Sequence, residues 1–134
     1  MSTLTTLEGI GPAYEAKLKT AGISSCELLL EMGATPKGRA QIVETSGLGK
    51  SQIQKFVNHA DLCRIKGVGG EYSELLEASG VDTVPELAQR NPEHLASKMT
   101  ELNAEKKLVR SPPSVAEVKR WILQAKELPR VIFH

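Results

Sequence analysis

One stretch of this chain is written twice. Leu7-Glu8-Gly9-Ile10-Gly11-Pro12-Ala13-Tyr14 returns as Ile65-Lys66-Gly67-Val68-Gly69-Gly70-Glu71-Tyr72, and Ala21-Gly22-Ile23 returns as Ser79-Gly80-Val81. The offset is constant at 58 from Gly9 to Gly67, Gly11 to Gly69, Tyr14 to Tyr72, Leu18 to Leu76 and Gly22 to Gly80. Two glycines around one apolar residue predict a tight turn, because glycine adopts positive φ and lets other groups approach the backbone. A helix should start straight after the second glycine, with Pro12 suited to its first turn. The turn amides and the helix N-terminus then face outward together, an arrangement that suits an anion.

The spacing apolar-x-Gly-apolar-Gly followed by a helix resembles the helix-hairpin-helix motif. That resemblance implies a module that holds a nucleic-acid phosphate on its hairpin amides. Residues 1–6 lead in, with Leu4 and Leu7 expected to pack as Leu62 and Ile65 do. The first helix should run from Pro12 to about Ala21 and end at Gly22. Ser24 with Glu27 reads as a capping box for a short helix through Leu28, Leu29 and Leu30, stopped by Gly33. Thr35-Pro36 opens a helix that should end near Gly47. Ser46-Gly47-Leu48-Gly49-Lys50-Ser51 is a third Gly-apolar-Gly turn, followed by a helix carrying Ile53, Phe56, Val57 and Ala60.

The second half repeats the first. Asn91-Pro92 answers Thr35-Pro36 at an offset of 56, and Val118, Trp121, Ile122 and Ala125 answer Ile53, Phe56, Val57 and Ala60 at 65. The change implies a nine-residue insertion, which we expect in the loop after a helix ending near Asn103. Ser114 and Glu117 form a further capping box. No segment alternates long enough to read as a strand. The tail, Leu128 to His134, could be extended, and its apolar residues should pack back on the fold. The expectation is an all-α fold: tandem helix-hairpin-helix repeats in one compact domain over 1–134, an internal duplication of 1–62 and 63–134 with pseudo-two-fold symmetry.

Gly-Ile-Gly-Pro near the start, Ala-Thr-Pro-Lys-Gly-Arg at 34–39, Asp-Leu-Cys-Arg-Ile-Lys-Gly-Val-Gly at 61–69, Ala-Gln-Arg-Asn-Pro-Glu at 88–93 and Leu-Pro-Arg-Val near the end are similar to a bacterial family of domains of unknown function that carry helix-hairpin-helix motifs. The resemblance covers nearly the whole chain. It implies the fold and no particular activity.

Composition narrows the function classes. Aromatic residues make up only 4%, so the core must be Leu, Ile, Val and Ala, as suits a small helical protein. No apolar run approaches a membrane span and residues 1–20 show no secretory pattern, so a cytoplasmic protein without membrane partners is expected. Cys26 and Cys63 form no Cys-x-x-Cys pair and read as reduced thiols packed among apolar residues. Net charge is only +1, but it is blocked. Residues 36–66 carry a net +4 and 106–134 a net +5, whereas 1–35 carry −2 and 67–105 carry −6. Such alternation suits either a polyanion or a complementary protein surface.

An enzyme needs convergent nucleophile, base or metal ligands, and none is legible. His59, His94 and His134 lack ligand-spaced partners and read as surface or helix-end residues. Glu71, Glu74 and Glu77 read as a solvated acidic face. Lys50-Ser51 echoes a phosphate loop, but the spacing of a nucleotide-binding loop is missing. No cofactor or metal is implied. Phe56 and Trp121, each preceded by a base, fit either core or base-stacking platforms. The leading reading is a non-catalytic protein that binds DNA or RNA non-specifically. Its candidate contacts are Gly9, Gly11, Gly47, Gly49, Lys50, Gly67 and Gly69, with Lys55, Lys66 and Arg120 adding charge. Glu15, Glu71 and Glu74 oppose an anion at the two long hairpins, which puts the emphasis on the central turn and the last helix. The alternative is a protein-interaction or assembly module, including self-association, on the same fold.

Overall fold

The computed structural model describes residues 3–134; Met1 and Ser2 of the expected lead-in lie outside them. The fold is all-helical, with no strand among the described residues. After a short 3-10 turn at Leu4–Thr6 come α1 (Pro12–Thr20), α2 (Cys26–Met32), α3 (Pro36–Ser46), α4 (Lys50–Leu62), α5 (Gly70–Ala78), α6 (Val84–Ala88), α7 (Pro92–Lys106) and α8 (Val115–Glu127). The chain divides into two compact units, Met1–Asp61 with Val131–His134, and Leu62–Arg130.

In the first unit, α1 and α2 both pack on α3. α1 stops because Gly22 takes a left-handed conformation at φ 85°. The Ile23 N–H can then reach back to the Leu18 carbonyl at 2.9 Å, and the Gly22 N–H to Lys19 at 2.9 Å, which satisfies carbonyls at the helix end. Thr35 caps α3 as expected, its Oγ1 accepting from Gly38 N at 3.0 Å. The cap of α2 is one residue later than the sequence suggested. Ser25, not Ser24, accepts from Leu28 N at 3.1 Å, because the helix begins at Cys26 and only the residue before it can reach the third amide. Leu4, Leu18, Ile23, Leu29, Ile42, Ile53 and Val57 are wholly or almost wholly buried. Cys26 lies among them, and burial pushes its thiol pKa up; Cys63 is half-buried, and both are free thiols.

In the second unit, α8 packs on α6 and α7, and α5 on α7. α5 ends as α1 does: Gly80 sits at φ 92°, Val81 N donates to Leu76 O at 2.9 Å and Gly80 N to Glu77 O at 3.0 Å. Asn91 caps α7 through His94 N at 3.0 Å. Ser114 and Glu117 form the complete capping box of α8. The core gathers Leu75, Leu76, Val81, Leu87, Leu95, Met99, Val118 and Trp121.

The nine extra residues are not all in a loop. α3 has 11 residues and α7 has 15, so four of them add about one helical turn, which leaves the buried face in register. The other five lengthen the connection to Ser114. α7 therefore runs to Lys106, capped by Lys107 in a left-handed conformation at φ 53°, rather than ending near Asn103. Asn103 is buried inside the helix, where its side chain accepts from Val109 N at 2.9 Å and donates to Val109 O at 3.0 Å. It fastens the longer connection.

The tail forms no strand but does pack back. Ile132 is buried, and Phe133 N donates to Ala34 O at 2.7 Å. Arg39, nearly buried on α3, donates from Nη1 to Gly33 O and from Nη2 to Phe133 O, both at 2.8 Å. One guanidinium thus satisfies a helix-end carbonyl and holds the tail. Two expectations follow for the first unit. Arg39→Met should cost about 1–3 kcal/mol, since it strands two carbonyls, and Ile132→Ala about 2–5 kcal/mol; an unchanged urea midpoint for Arg39→Met would remove the clasp. Gly38→Ala would drive a methyl into the Met32 carbonyl and should cost about 1–3 kcal/mol. Gly11→Ala, facing open space, should shift the midpoint by no more than about 0.5 kcal/mol.

Candidate functional site

Each long turn is tied by the same backbone bonds. In the first unit Leu7 N donates to Leu4 O at 3.1 Å and Ile10 N to Leu7 O at 3.3 Å. In the second, Ile65 N donates to Leu62 O and Val68 N to Ile65 O, both at 3.1 Å. The first glycine is left-handed in both, Gly9 at φ 87° and Gly67 at φ 96°. An aromatic ring lies against each. A Cβ on Gly9 would come 3.6 Å from Phe56 Cε1, and one on Gly67 2.9 Å from Trp121 Nε1. A tyrosine tilts onto each ring, Tyr14 on Phe56 at 6.1 Å and Tyr72 on Trp121 at 5.2 Å between centroids. Phe56 and Trp121 are each only 3% exposed, which excludes them as base-stacking platforms and makes them the floor of the turns. Burial, reinforced by the carboxylates of Glu117 and Glu71, pushes the Tyr72 phenol pKa up.

The helices that leave these turns start without a side-chain cap. Ser25, Thr35, Asn91 and Ser114 cap α2, α3, α7 and α8. Gly11 and Gly69, extended at the N-cap of α1 and α5, cannot. No atom lies within 4 Å of where a Cβ would stand on either. Helix-start N–H groups carrying partial positive charge are thereby left to the solvent side, where an anion's oxygens could accept from them. Glu15 in α1 leans instead on Lys19, at 3.9 Å.

The central turn is built differently. Gly47 is the left-handed end of α3, at φ 77°, and Gly49 immediately precedes α4. Leu48 N is held by Ser46 Oγ at 3.2 Å, and Gly49 N by Gln52 Oε1 at 3.1 Å. Gln52 then donates from Nε2 to the Tyr14 hydroxyl at 3.0 Å. This is half a capping box: Gln52 reaches back to the cap residue's amide as Glu117 does to Ser114 at 3.1 Å, but glycine has no hydroxyl to return. The N–H groups of Gly47, Leu48 and Gly49, which the sequence favoured for a phosphate, are engaged internally, although α4, like α1 and α5, starts on a glycine that offers no side-chain cap.

The candidate cations divide between the units. Lys50 is exposed at the start of α4, at the rim of a groove of about 470 Å³ that Arg39, Val43, Gln54 and His134 also line. Lys55 is half-buried beside Phe56 in the chain. Lys66 and Arg120 are exposed, and α8, which carries Arg120, lies against the turn at Lys66. Gln124 on that helix accepts from Lys66 N at 2.9 Å and donates to Lys66 O at 3.2 Å, and Trp121, next to Arg120, underlies Gly67. The second unit therefore assembles Lys66, Gly67, Gly69 and the helix of Arg120. The first assembles Gly9 and Gly11 with the helix of Lys55, and Gly47 and Gly49 through Gln52.

Sequence reading missed Gln52, Gln124 and Arg39. Gln52 had a signal, the third residue after a cap glycine, whereas Gln124 and Arg39 act only across the fold. His59 is a correction: it is fully buried in α4, on the inward side with Phe56 and Ala60, whereas His94 and His134 are exposed. No group of three or more His, Cys, Asp or Glu among the described residues could hold a metal ion. No helix among them is long and apolar enough to cross a membrane.

No curated protein and no solved structure matches the chain. A family model does match residues 8–128, from the first long turn to the end of α8, and by that match the chain belongs to the family described as Domain of unknown function (DUF4332).

Proposed function

We propose that this protein is a non-catalytic nucleic-acid binder built from two helix-hairpin-helix repeats, related by internal duplication with pseudo-two-fold symmetry, which grip backbone phosphates through turn and helix-start amides. The observation that carries this reading is the pair of glycine N-caps. Ser, Thr, Asn and Asp are the strong caps, and four other helices here use a Ser, Thr or Asn. α1 and α5 forgo one at matching positions and present uncapped N–H groups. The recurrence of the turn bonds, the glycine conformations and the ring beneath each turn supports the repeat. Contacts of this kind read no bases, so binding should be non-specific and salt-dependent.

The assembly reading rests on a different surface. Val115 and Leu123 stand 43% and 54% exposed on α8, one turn either side of Lys119, and such a face could meet a protein partner.

Two experiments separate these readings. The variant Gly11→Asp with Gly69→Asp supplies the missing caps and puts a carboxylate where the phosphate would sit. We expect unfolding free energy to hold or rise, by up to about 1 kcal/mol per cap, while affinity for duplex DNA, single strands and RNA at low salt falls at least about tenfold, the 1.4 kcal/mol expected of a lost charge-assisted contact. Undiminished affinity would dismiss the amides as the grip. Glu71→Gln with Glu74→Gln should raise DNA affinity and leave the mass in solution unchanged, since each acid opposes an anion by roughly 0.3–1 kcal/mol. Loss of an oligomer with DNA binding unaltered would favour assembly.

A further inference from the structure

The groove beside Lys50 includes no residue of the two long turns. It holds about 470 Å³ and is bounded by α3, the first turns of α4 and the end of the tail, all within the first unit. A volume of that size takes a small organic molecule. Pro36, Ala40 and Val43 follow one another along α3 at helical spacing and give the groove an apolar wall. Around that wall stand Arg39, Lys50, Gln54 and His134, and no Asp or Glu side chain lines it.

Arg39 is the unusual member of that lining. It is only 8% exposed, and burial pulls its pKa down. Its Nη1 and Nη2 each donate to a backbone carbonyl, of Gly33 and of Phe133. Those acceptors are neutral, and Arg39 forms no ion pair among the described residues. A guanidinium has five N–H groups, so three are left over. The Nε–H makes no bond among the described residues and yet is not sealed from solvent. A charge so nearly desolvated is costly until an anion meets it. The Lys50 ammonium on the same groove forms no ion pair among the described residues either.

We infer that this groove is a binding site for a small organic acid, an apolar body that ends in a carboxylate. The body lies along Pro36, Ala40 and Val43, and the carboxylate meets Arg39 and Lys50. A carboxylate suits a guanidinium because planar N–H groups match its two oxygens. A bare inorganic anion would leave the apolar wall wet, and a neutral or cationic molecule would leave the guanidinium unpaired. The site stands apart from the two long turns, so it holds whether or not they grip a nucleic acid. Arg39 also holds the Phe133 carbonyl and His134 lines the groove. An occupant therefore bears on the tail and should stabilise the first unit.

Straight-chain carboxylates from butyrate to decanoate, their matching alcohols and inorganic phosphate are the probes, added to an ¹⁵N-labelled full-length sample at equal ionic strength. At least one carboxylate should saturably move the amide resonances of Ala40, Val43, Lys50 and His134 and raise the unfolding midpoint. The alcohol of the same length and phosphate should each bind at least about tenfold more weakly. Ala40→Phe, at an exposed position of α3, fills the groove and removes no charge. It should weaken the carboxylate at least about tenfold while the unliganded midpoint holds. Lys50→Gln should weaken it about three- to tenfold, and Arg39→Met should abolish binding. If Arg39→Met loses the fold, Ala40→Phe and Lys50→Gln decide. Alcohols that bind as well as acids, a response unchanged in Ala40→Phe, or no saturation by any carboxylate overturns the site. So does a DNA duplex that moves the same resonances and displaces the carboxylate, since the groove would then be a contact for a polyanion.

Discussion

The contact on which each unit depends is a glycine against an aromatic ring. Gly67 can lie so close to Trp121 because it has no Cβ, whereas a Cβ on Gly9 would meet Phe56 at an ordinary contact distance; both glycines take a left-handed φ that other residues resist. The ring then fixes everything nearby. It sits on the closing helix of its unit, meets the tyrosine of the helix leaving the turn, and sets the distance between those two helices. The chain has only five Phe, Trp and Tyr residues, and four of them are used here.

That dependence explains why the turns stay open. A backbone pinned from below by a ring needs no side-chain cap to hold its shape, so Gly11 and Gly69 can leave helix-start amides unsatisfied at little structural cost. Elsewhere the chain uses side chains at four helix starts, Ser25, Thr35, Asn91 and Ser114, and Ser46 and Gln52 at the central turn, while Thr83 before α6 makes no such cap bond. Side-chain caps and open amides are thus assigned to different helix ends. Both remain compatible because each cap contributes on the order of 1 kcal/mol.

The tail shows another kind of dependence. Four residues at the end of the chain are counted with the first unit, held by a buried arginine whose two nitrogens serve two carbonyls. A basic residue in a basic block of sequence is thereby largely buried and donates to two backbone carbonyls. The charge block at 36–66 is less available than a count of Lys and Arg implies.

Local chemistry was legible in the residues alone. Pro at the first helical position, Thr35, Asn91 and Ser114 as caps, and glycine at the ends of α1, α3 and α5 are decided within a few residues of chain, and so is the 58-residue repeat of the turn. The 3.6-residue period also placed Ile53, Phe56, Val57 and Ala60 on a buried face. Tertiary structure decided what depends on neighbours distant in sequence. Whether Phe56 and Trp121 were floor or platform turned on what packs over them. His59 was buried by its place in α4, Gln124 was drawn to Lys66 by the approach of α8, and Arg39 was withdrawn by the tail. The emphasis also moved from the central turn to the long ones, because a free amide and one held by Ser46 or Gln52 are identical in sequence. Only the side chain that folds back to meet it tells them apart.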